Sequence, residues 1–304
     1  MAAPQDRNLM AGARQVHDDP RLVAQAFSTR LVRLLASQHH PWPSQRLTPL
    51  IALVDGKGSL GEAFEAAYGV IKREYRCEYV YKNEIISRAP EGAHSMTGLR
   101  VFLSVADVSV AGPNGAAAYE IKTDLDSFTR LELQLLSYSR CFEHVIIVTS
   151  PAKADRALQT TPPHIGVLTM DNGHALAVAR EPAGGLGRLE MASLFPILRK
   201  DELHTILQRH CGYTVPDRPT VYEYRTRLEL FMRLPIETAY PAFVAALQSR
   251  DLRSRDAARA AKLPSSLQGV AAGLALSNAA WKRLGQLMSQ PAADFALGIN
   301  PRVF

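Results

Sequence analysis

Val105-Ala-Asp-Val-Ser-Val-Ala-Gly-Pro-Asn-Gly-Ala-Ala-Ala-Tyr-Glu-Ile-Lys122 reads as two strands joined by a turn. Val105, Asp107 and Ser109 alternate with Ala106, Val108 and Val110, the period of a half-buried strand. Gly112-Pro113-Asn114-Gly115 is a strong turn signal, so the chain reverses there. The run from Ala116 to Thr123 has strand formers at Tyr119 and Ile121, and its three alanines leave the strand's start open. Glu120 and Lys122 share one face of that strand, Tyr119 and Ile121 the other. A hairpin of this kind brings Asp107 close to Glu120, on the same side if the register allows.

Two carboxylates and an ammonium in one small volume suit phosphodiester chemistry. Mg²⁺ keeps several waters and is held by one or two carboxylates plus phosphate oxygens. Asp107 and Glu120 would supply the carboxylates, and the Ile121 backbone carbonyl a third oxygen. A bound metal acidifies its water and polarises the phosphoryl group. Lys122 would orient the attacking water, stabilise developing charge, or act as a base. A bare acid-x-Lys triplet carries little weight, because chance supplies about one in a chain of this composition. Asp55-Gly-Lys57 is a second, set among glycines, and reads as a turn. The alternative for the main site is that Asp107 caps a strand while Glu120 pairs with Lys122 on a solvated face.

Downstream, Asp124 and Asp126-Ser127 offer an N-cap and first-turn acids for a helix. Phe128, Leu131, Leu135, Tyr138 and Phe142 recur at three- and four-residue steps as its core stripe. Arg130, Gln134 and Tyr138 follow at i, i+4 along the edge of that stripe. Gln134 and Tyr138 would help position phosphate or metal ligands, with Arg130 near a backbone phosphate; the alternative is an ordinary polar flank. Val145–Thr149 then reads as a buried strand bounded by Ser150-Pro151.

A strand with Asp, a hairpin, a strand with Glu-x-Lys, a helix and a strand resembles the PD-(D/E)XK nuclease superfamily, which has the restriction-endonuclease-like fold. Gln134-x-x-x-Tyr138 resembles the Gln-x-x-x-Tyr motif of its RecB-like branch. The block from Tyr119 to Leu131 is similar to an uncharacterised bacterial family assigned to that superfamily. The resemblance covers residues about 60–180, with Ala106 standing where the superfamily often has a proline. It implies that Asp107 and Glu120 ligate Mg²⁺ or Mn²⁺, that Lys122 is the catalytic lysine, and that Gln134 and Tyr138 are auxiliary site residues. It also directs attention to an acidic residue on a helix preceding the sheet. Residues 61–87 read as one long helix, with Phe64, Tyr68, Ile71 and Tyr75 as a stripe onto which Glu78 falls. A carboxylate facing a core is costly unless paired or metal-bound, so Glu78 is a fourth metal-ligand candidate, with Glu84 behind it. An intrahelical Glu78–Lys82 pair is the alternative.

The net charge is +6, which favours a polyanionic partner whose binding weakens with salt. Cys77, Cys141 and Cys211 are far apart and odd in number, suggesting neither a disulfide framework nor a zinc site. His39-His40 beside Pro41 reads as loop rather than a ligand pair. The longest apolar patch, around Gly269–Leu276, is too short to cross a membrane. The N-terminus lacks a signal-peptide pattern, so the expected location is cytoplasmic, with no membrane partner.

Three parts are expected: an N-terminal arm and helix over 1–48, a nuclease-like core over 49–191, and a helical C-terminal domain over 192–304. Residues 1–18 read as a mobile arm, Arg21–Ser37 as one amphipathic helix, and His39–Leu47 as a linker. Ile165–Met170 and His174–Ala179 read as strands joined by Asp171-Asn172-Gly173, a strong hairpin signal that would extend the sheet. Helices follow over Leu194–Gln208, Arg225–Arg233 and Ala242–Ser249, with a last helix or pair from Leu263 to near Met288. In the segment from Arg250 to Lys262, the side chains of Arg255, Arg259 and Lys262 would share a helical face. Nucleic-acid contact is the functional reading of that face and a solvated helix the bland one, which carries more weight.

The expected architecture is therefore α/β, a restriction-endonuclease-like mixed sheet flanked by helices, with a C-terminal helical domain. The expected reaction is metal-dependent phosphodiester hydrolysis, as a DNA endonuclease in bacterial defence or mobile-element conflict. The rivals are a non-catalytic nucleic-acid-binding module and a subunit active only with a partner. The C-terminal helices would offer the surface for that partner or for a homodimer.

Overall fold

The computed structural model describes residues 19–37, 44–216 and 221–296. The expected arm over 1–18 and the His39-His40-Pro41 part of the linker lie outside them. The chain divides into two units, with boundaries between Ser87 and Arg88 and between Arg250 and Asp251. The first unit combines the N-terminal helices with the C-terminal ones; the second is the segment between.

The first unit begins with helices α1 (Arg21–Ala24), α2 (Thr29–Ala36), α3 (Ser44–Ala52), α4 (Leu60–Glu74) and α5 (Glu78–Ser87). Two expected helices are broken. Arg21–Ser37 is interrupted because Ser28 is extended and its side chain accepts from the Leu31 N–H at 3.3 Å, starting α2 afresh. The helix expected over 61–87 stops at Tyr75, whose φ of −141° leaves the helical region, and resumes at Glu78. Apolar spacing continues across both breaks, so periodicity alone does not reveal them. Ser59 and Glu62 start α4 with reciprocal capping bonds of 3.2 and 2.7 Å.

The second unit opens with strands β1 (His94–Val101), β2 (Ser104–Gly112) and β3 (Gly115–Lys122). Then come α6 (Leu131–Ser139), β4 (His144–Thr149), α7 (Ala154–Thr160), β5 (Gly166–Met170) and β6 (Leu176–Arg180). These strands form one mixed sheet of six in the order β1-β2-β3-β4-β5-β6. β1, β2 and β3 are antiparallel neighbours, β4 and β5 run parallel to β3, and β6 returns antiparallel. Each parallel step needs a crossover, which α6 and α7 provide. The Gly-Pro-Asn-Gly turn closes β2–β3 with Gly112 opposite Gly115. The Asp171-Asn172-Gly173 turn closes β5–β6 and extends the sheet as expected. β1 was not anticipated.

Helices α8 (Met191–Leu194), α9 (Lys200–Cys211), α10 (Glu223–Met232) and α11 (Ile236–Ser249) complete this unit. The expected boundary at residue 192 does not hold, for a physical reason. Leu203, Ile206, Phe231, Phe243 and Leu247 join one buried cluster with the sheet residues Ala118, Val145 and Ile147. Buried Arg250 closes the unit on Glu202, Nε to Oε1 at 2.6 Å.

The chain then returns to the first unit with α12 (Leu252–Ala260), α13 (Gln268–Ala271), α14 (Asn278–Met288) and α15 (Ala293–Ala296). Here α14 buries Trp281, Leu284 and Leu287 and packs against α2 and α4. Among the described residues, no helix is long and apolar enough to cross a membrane.

Candidate functional site

Along β3, Ala116, Ala118, Glu120 and Lys122 occupy alternate positions, hence one face. All four are buried. The face that carries the acid and the lysine is therefore the core side of the strand, and the expected alternative of a solvated Glu120–Lys122 pair does not hold. The two do pair, Nζ to Oε1 at 2.6 Å, but Glu120 is only 2 % exposed.

Helix α6 completes the arrangement. Gln134 Nε2 donates to Glu120 Oε1 at 2.5 Å, and Gln134 Oε1 accepts from Lys122 Nζ at 3.0 Å. This fixes the orientation of the amide, because only its carbonyl accepts from an ammonium. Glu120, Lys122 and Gln134 form a closed triangle. One turn further along α6, the Tyr138 hydroxyl lies 2.7 Å from Glu120 Oε2 and 2.8 Å from the Val105 carbonyl. Ser104 Oγ is 3.4 Å from the same hydroxyl. A phenol has one proton, so it donates to one of these acceptors at a time. Burial first, then the Glu120 carboxylate, holds the Tyr138 phenol well above the usual tyrosine range. Tyr138 therefore remains a donor at any ordinary pH.

The paired positions of β2 and β3 reach Val108 opposite Tyr119. Extending that register by one residue sets Asp107 across from Glu120, on the same face. Asp107 Oδ2 accepts from the Ile121 N–H at 2.8 Å, so its side chain bonds the neighbouring strand where the ladder ends. Asp107 thus does cap the strand, as the alternative supposed, and also stands beside Glu120.

The loop after β3 is held from the next strand. Thr149 Oγ1 donates to the Lys122 carbonyl at 2.6 Å. Lys153 Nζ donates to the carbonyls of Thr123, Asp124 and Asp126 at 2.7, 3.0 and 2.7 Å. Asp126 accepts from the Thr123 N–H and hydroxyl at 2.9 and 2.7 Å. Asp124 accepts from the Ser150 hydroxyl. These acids build the loop and do not cap the helix, which starts later, with exposed Arg130 at its N-cap position. Lys153 and the Val105 carbonyl were not foreseen. A lysine two residues after Pro151 has no periodic signal, and a carbonyl acceptor has no residue type.

The remaining expected residues lie in the first unit. Glu78 opens α5, half-exposed, and pairs with Lys82. Because the helix is broken at Tyr75, Glu78 does not continue the apolar stripe, and the pairing alternative describes it. Glu84 is buried, accepting from the Tyr68 hydroxyl at 2.9 Å and pairing with Lys72 at 2.7 Å. Arg255 and Arg259 lie on α12, but Lys262 lies beyond it with φ of +50°. The expected common helical face therefore loses its third member.

The oxygen set is hard in character, and Mg²⁺ needs only one or two carboxylates. A carboxylate has about four acceptor sites. At Glu120, Oε1 takes Lys122 and Gln134 while Oε2 takes Tyr138, which leaves one site on Oε2. Asp107 and the Ile121 carbonyl are the nearby oxygens of the same end of the hairpin. Among the described residues, no group of three His, Cys, Asp or Glu side chains is gathered as a metal centre.

Fold and site together define an α/β protein with a mixed open sheet and a buried carboxylate–lysine–amide cluster at one end of its central hairpin. The family model described as bacteriophage P4 protein cII matches residues 72–256, more than half of the chain and all of the second unit. The chain belongs to the bacteriophage P4 protein cII family. No curated protein and no solved structure matches it.

Proposed function

We propose that this chain is a metal-dependent nuclease with a restriction-endonuclease-like core, acting on DNA as an endonuclease. The observation that carries this is the buried triangle of Glu120, Lys122 and Gln134, locked by Tyr138 and set beside Asp107. The strand order, three antiparallel strands followed by a helix and a parallel fourth, agrees with that core. The family takes its description from a bacteriophage protein, which agrees with a role in mobile-element conflict or defence.

Asp107, Glu120 and the Ile121 carbonyl would hold Mg²⁺ or Mn²⁺, which would supply an acidified water and a Lewis acid for the phosphoryl oxygen. Gln134 and Tyr138 are positioning residues: their bonds fix the rotamer of Glu120 so that its oxygens present one geometry. Lys122 has three ammonium protons, of which Glu120 and Gln134 take two. The third is available to a phosphate oxygen, where it would stabilise charge developing during cleavage. Exposed Arg130, on the loop side of α6, would meet the substrate backbone.

A second reading has an observation of its own. Glu120 is held by three donors and is almost fully buried, as expected of a structural ion pair inside a non-catalytic binding module. Incubating the purified chain with circular and linear DNA in Mg²⁺, Mn²⁺ and EDTA separates the two. The nuclease reading expects cutting that needs metal and is lost in Asp107→Asn and Lys122→Met. DNA binding without cutting would favour the module, and cutting unchanged in both variants would place the cutting outside this site. Cutting that appears only with a copurified protein would mark a partner-activated enzyme.

A further inference from the structure

In the first unit, α12 and α14 border a cleft of about 850 Å³, within the range of ligand pockets of roughly 300–1,000 Å³. Three cations line it from three backbone positions: Arg253 on α12, Lys262 just past its end, and Lys282 on α14. All three are exposed. Among the described residues, none of these three side chains has a hydrogen-bond or ion-pair partner. The acid in the lining, Asp256, is already paired with Arg259 at 3.3 Å. Positive charge is thus concentrated at the cleft without an internal counter-charge, an arrangement that costs stability and favours an anionic ligand.

The walls are fixed. Trp281 is buried, its Nε1 donating to Ser254 Oγ at 2.8 Å, and Ser254 donates in turn to the Leu276 carbonyl at 3.0 Å. Gly285 lets α14 approach the end of α12 so closely that a Cβ there would collide with the Ala261 carbonyl. Lys262 is held at φ +50°, a strained position for a residue with a side chain, worth about 1–3 kcal/mol. Small residues such as Ala257 and Gly285 also line the cleft, and Asn278 offers an uncharged polar group.

We propose that this cleft binds the phosphodiester backbone of a nucleic-acid strand, through Arg253, Lys262 and Lys282. The proposal rests on the nucleic-acid part of the functional reading and is independent of whether the second unit cuts. It moves the basic contacts from the expected Arg255–Arg259 face to the cleft.

The test is fluorescence anisotropy of the full chain with labelled single-stranded and duplex oligonucleotides in EDTA, so that binding is read without cleavage. The triple variant R253Q/K262Q/K282Q should weaken binding at least tenfold and flatten the salt dependence by about two to three released counterions. R30Q/R33Q/R46Q, the same charge change at exposed sites of the same unit, should weaken it less than threefold. Thermal unfolding controls for misfolding, and Lys282→Glu alone, at an exposed position, should weaken binding in the same direction. Equal weakening by both triple variants would reduce the effect to net charge and overturn the proposal, as would unchanged binding. Displacement of the oligonucleotide by micromolar pyrophosphate would assign the cleft to a small phosphate ligand and also overturn it. Loss of binding in the cleft variant while the wild type fails to cut would instead retire the nuclease reading alone.

Discussion

At Glu120 the stakes of a substitution are set by burial. Removing one member of a buried ion pair leaves the other uncompensated, at a cost of about 3–5 kcal/mol. Glu120→Ala should therefore lower stability by that order in urea unfolding, and lost activity in that variant would be ambiguous. Replacing both residues, as Glu120→Leu with Lys122→Met, should recover part of the loss, and a double-mutant cycle measures the coupling. Much of this site was legible from Glu120-x-Lys122 and Gln134-x-x-x-Tyr138, because residue type and spacing carry it. Its burial was not, since an acid and a lysine following small alanines look the same on a wet face as on a covered one. Cys211 is exposed and Cys141 buried, and burial first, then the charge of Glu190, pushes the Cys141 thiol up to about 12. In native protein a maleimide should label Cys211 first and Cys141 only on unfolding, as read by mass spectrometry.

The β2–β3 hairpin and the loop after it set the geometry in which these residues meet. Gly115 has φ of +103°, and a Cβ there would lie 2.8 Å from Glu143 Oε2. Gly115→Ala should cost about 1–3 kcal/mol from the backbone conformation, measurable as a lower urea midpoint with unchanged slope. Lys153 ties three carbonyls of the loop that carries the chain from β3 to α6. Lys153→Met should raise amide exchange over residues 123–127 and leave β4 protected. Strands read well from the sequence where turns were marked by Gly, Pro or Asn, as at 112–115 and 171–173. Helix ends read poorly. Ser28 restarts a helix inside an unbroken apolar pattern, and Asp126 folds back on Thr123 where a cap was expected. Local side-chain bonds decide such points, and periodicity does not register them.

Over the whole molecule, the division into units follows which apolar faces bury each other. One cluster runs from Met96 to Leu247 entirely inside the second unit, so residues 88–250 should fold alone and unfold cooperatively. The boundary expected at 192 came from a change in pattern from strands to helices, which says nothing about partners in space. The buried tyrosines set the behaviour in alkali. Burial is the first cause that raises Tyr79, Tyr119 and Tyr138, and it pushes Tyr240 up to about 12. Above about pH 10 an unfolded chain releases phenol protons that the folded state keeps, so stability should fall as pH rises from there toward 12. Buried Cys141 adds the same effect from about pH 8.5, where an unfolded thiol ionises, so urea midpoints should decline from there and drop further at pH 11. The proposed phosphodiester-cleaving site centred on Glu120 is read out by the single-turnover rate of circular-DNA nicking in Mg²⁺ or Mn²⁺. Wild type is compared with Glu120→Gln, which keeps the shape and removes the charge. Metal-dependent nicking should fall at least about a hundredfold in the variant while its unfolding stays cooperative. Equal rates in the two proteins, or no nicking by wild type on DNA that it binds, would contradict the proposed site.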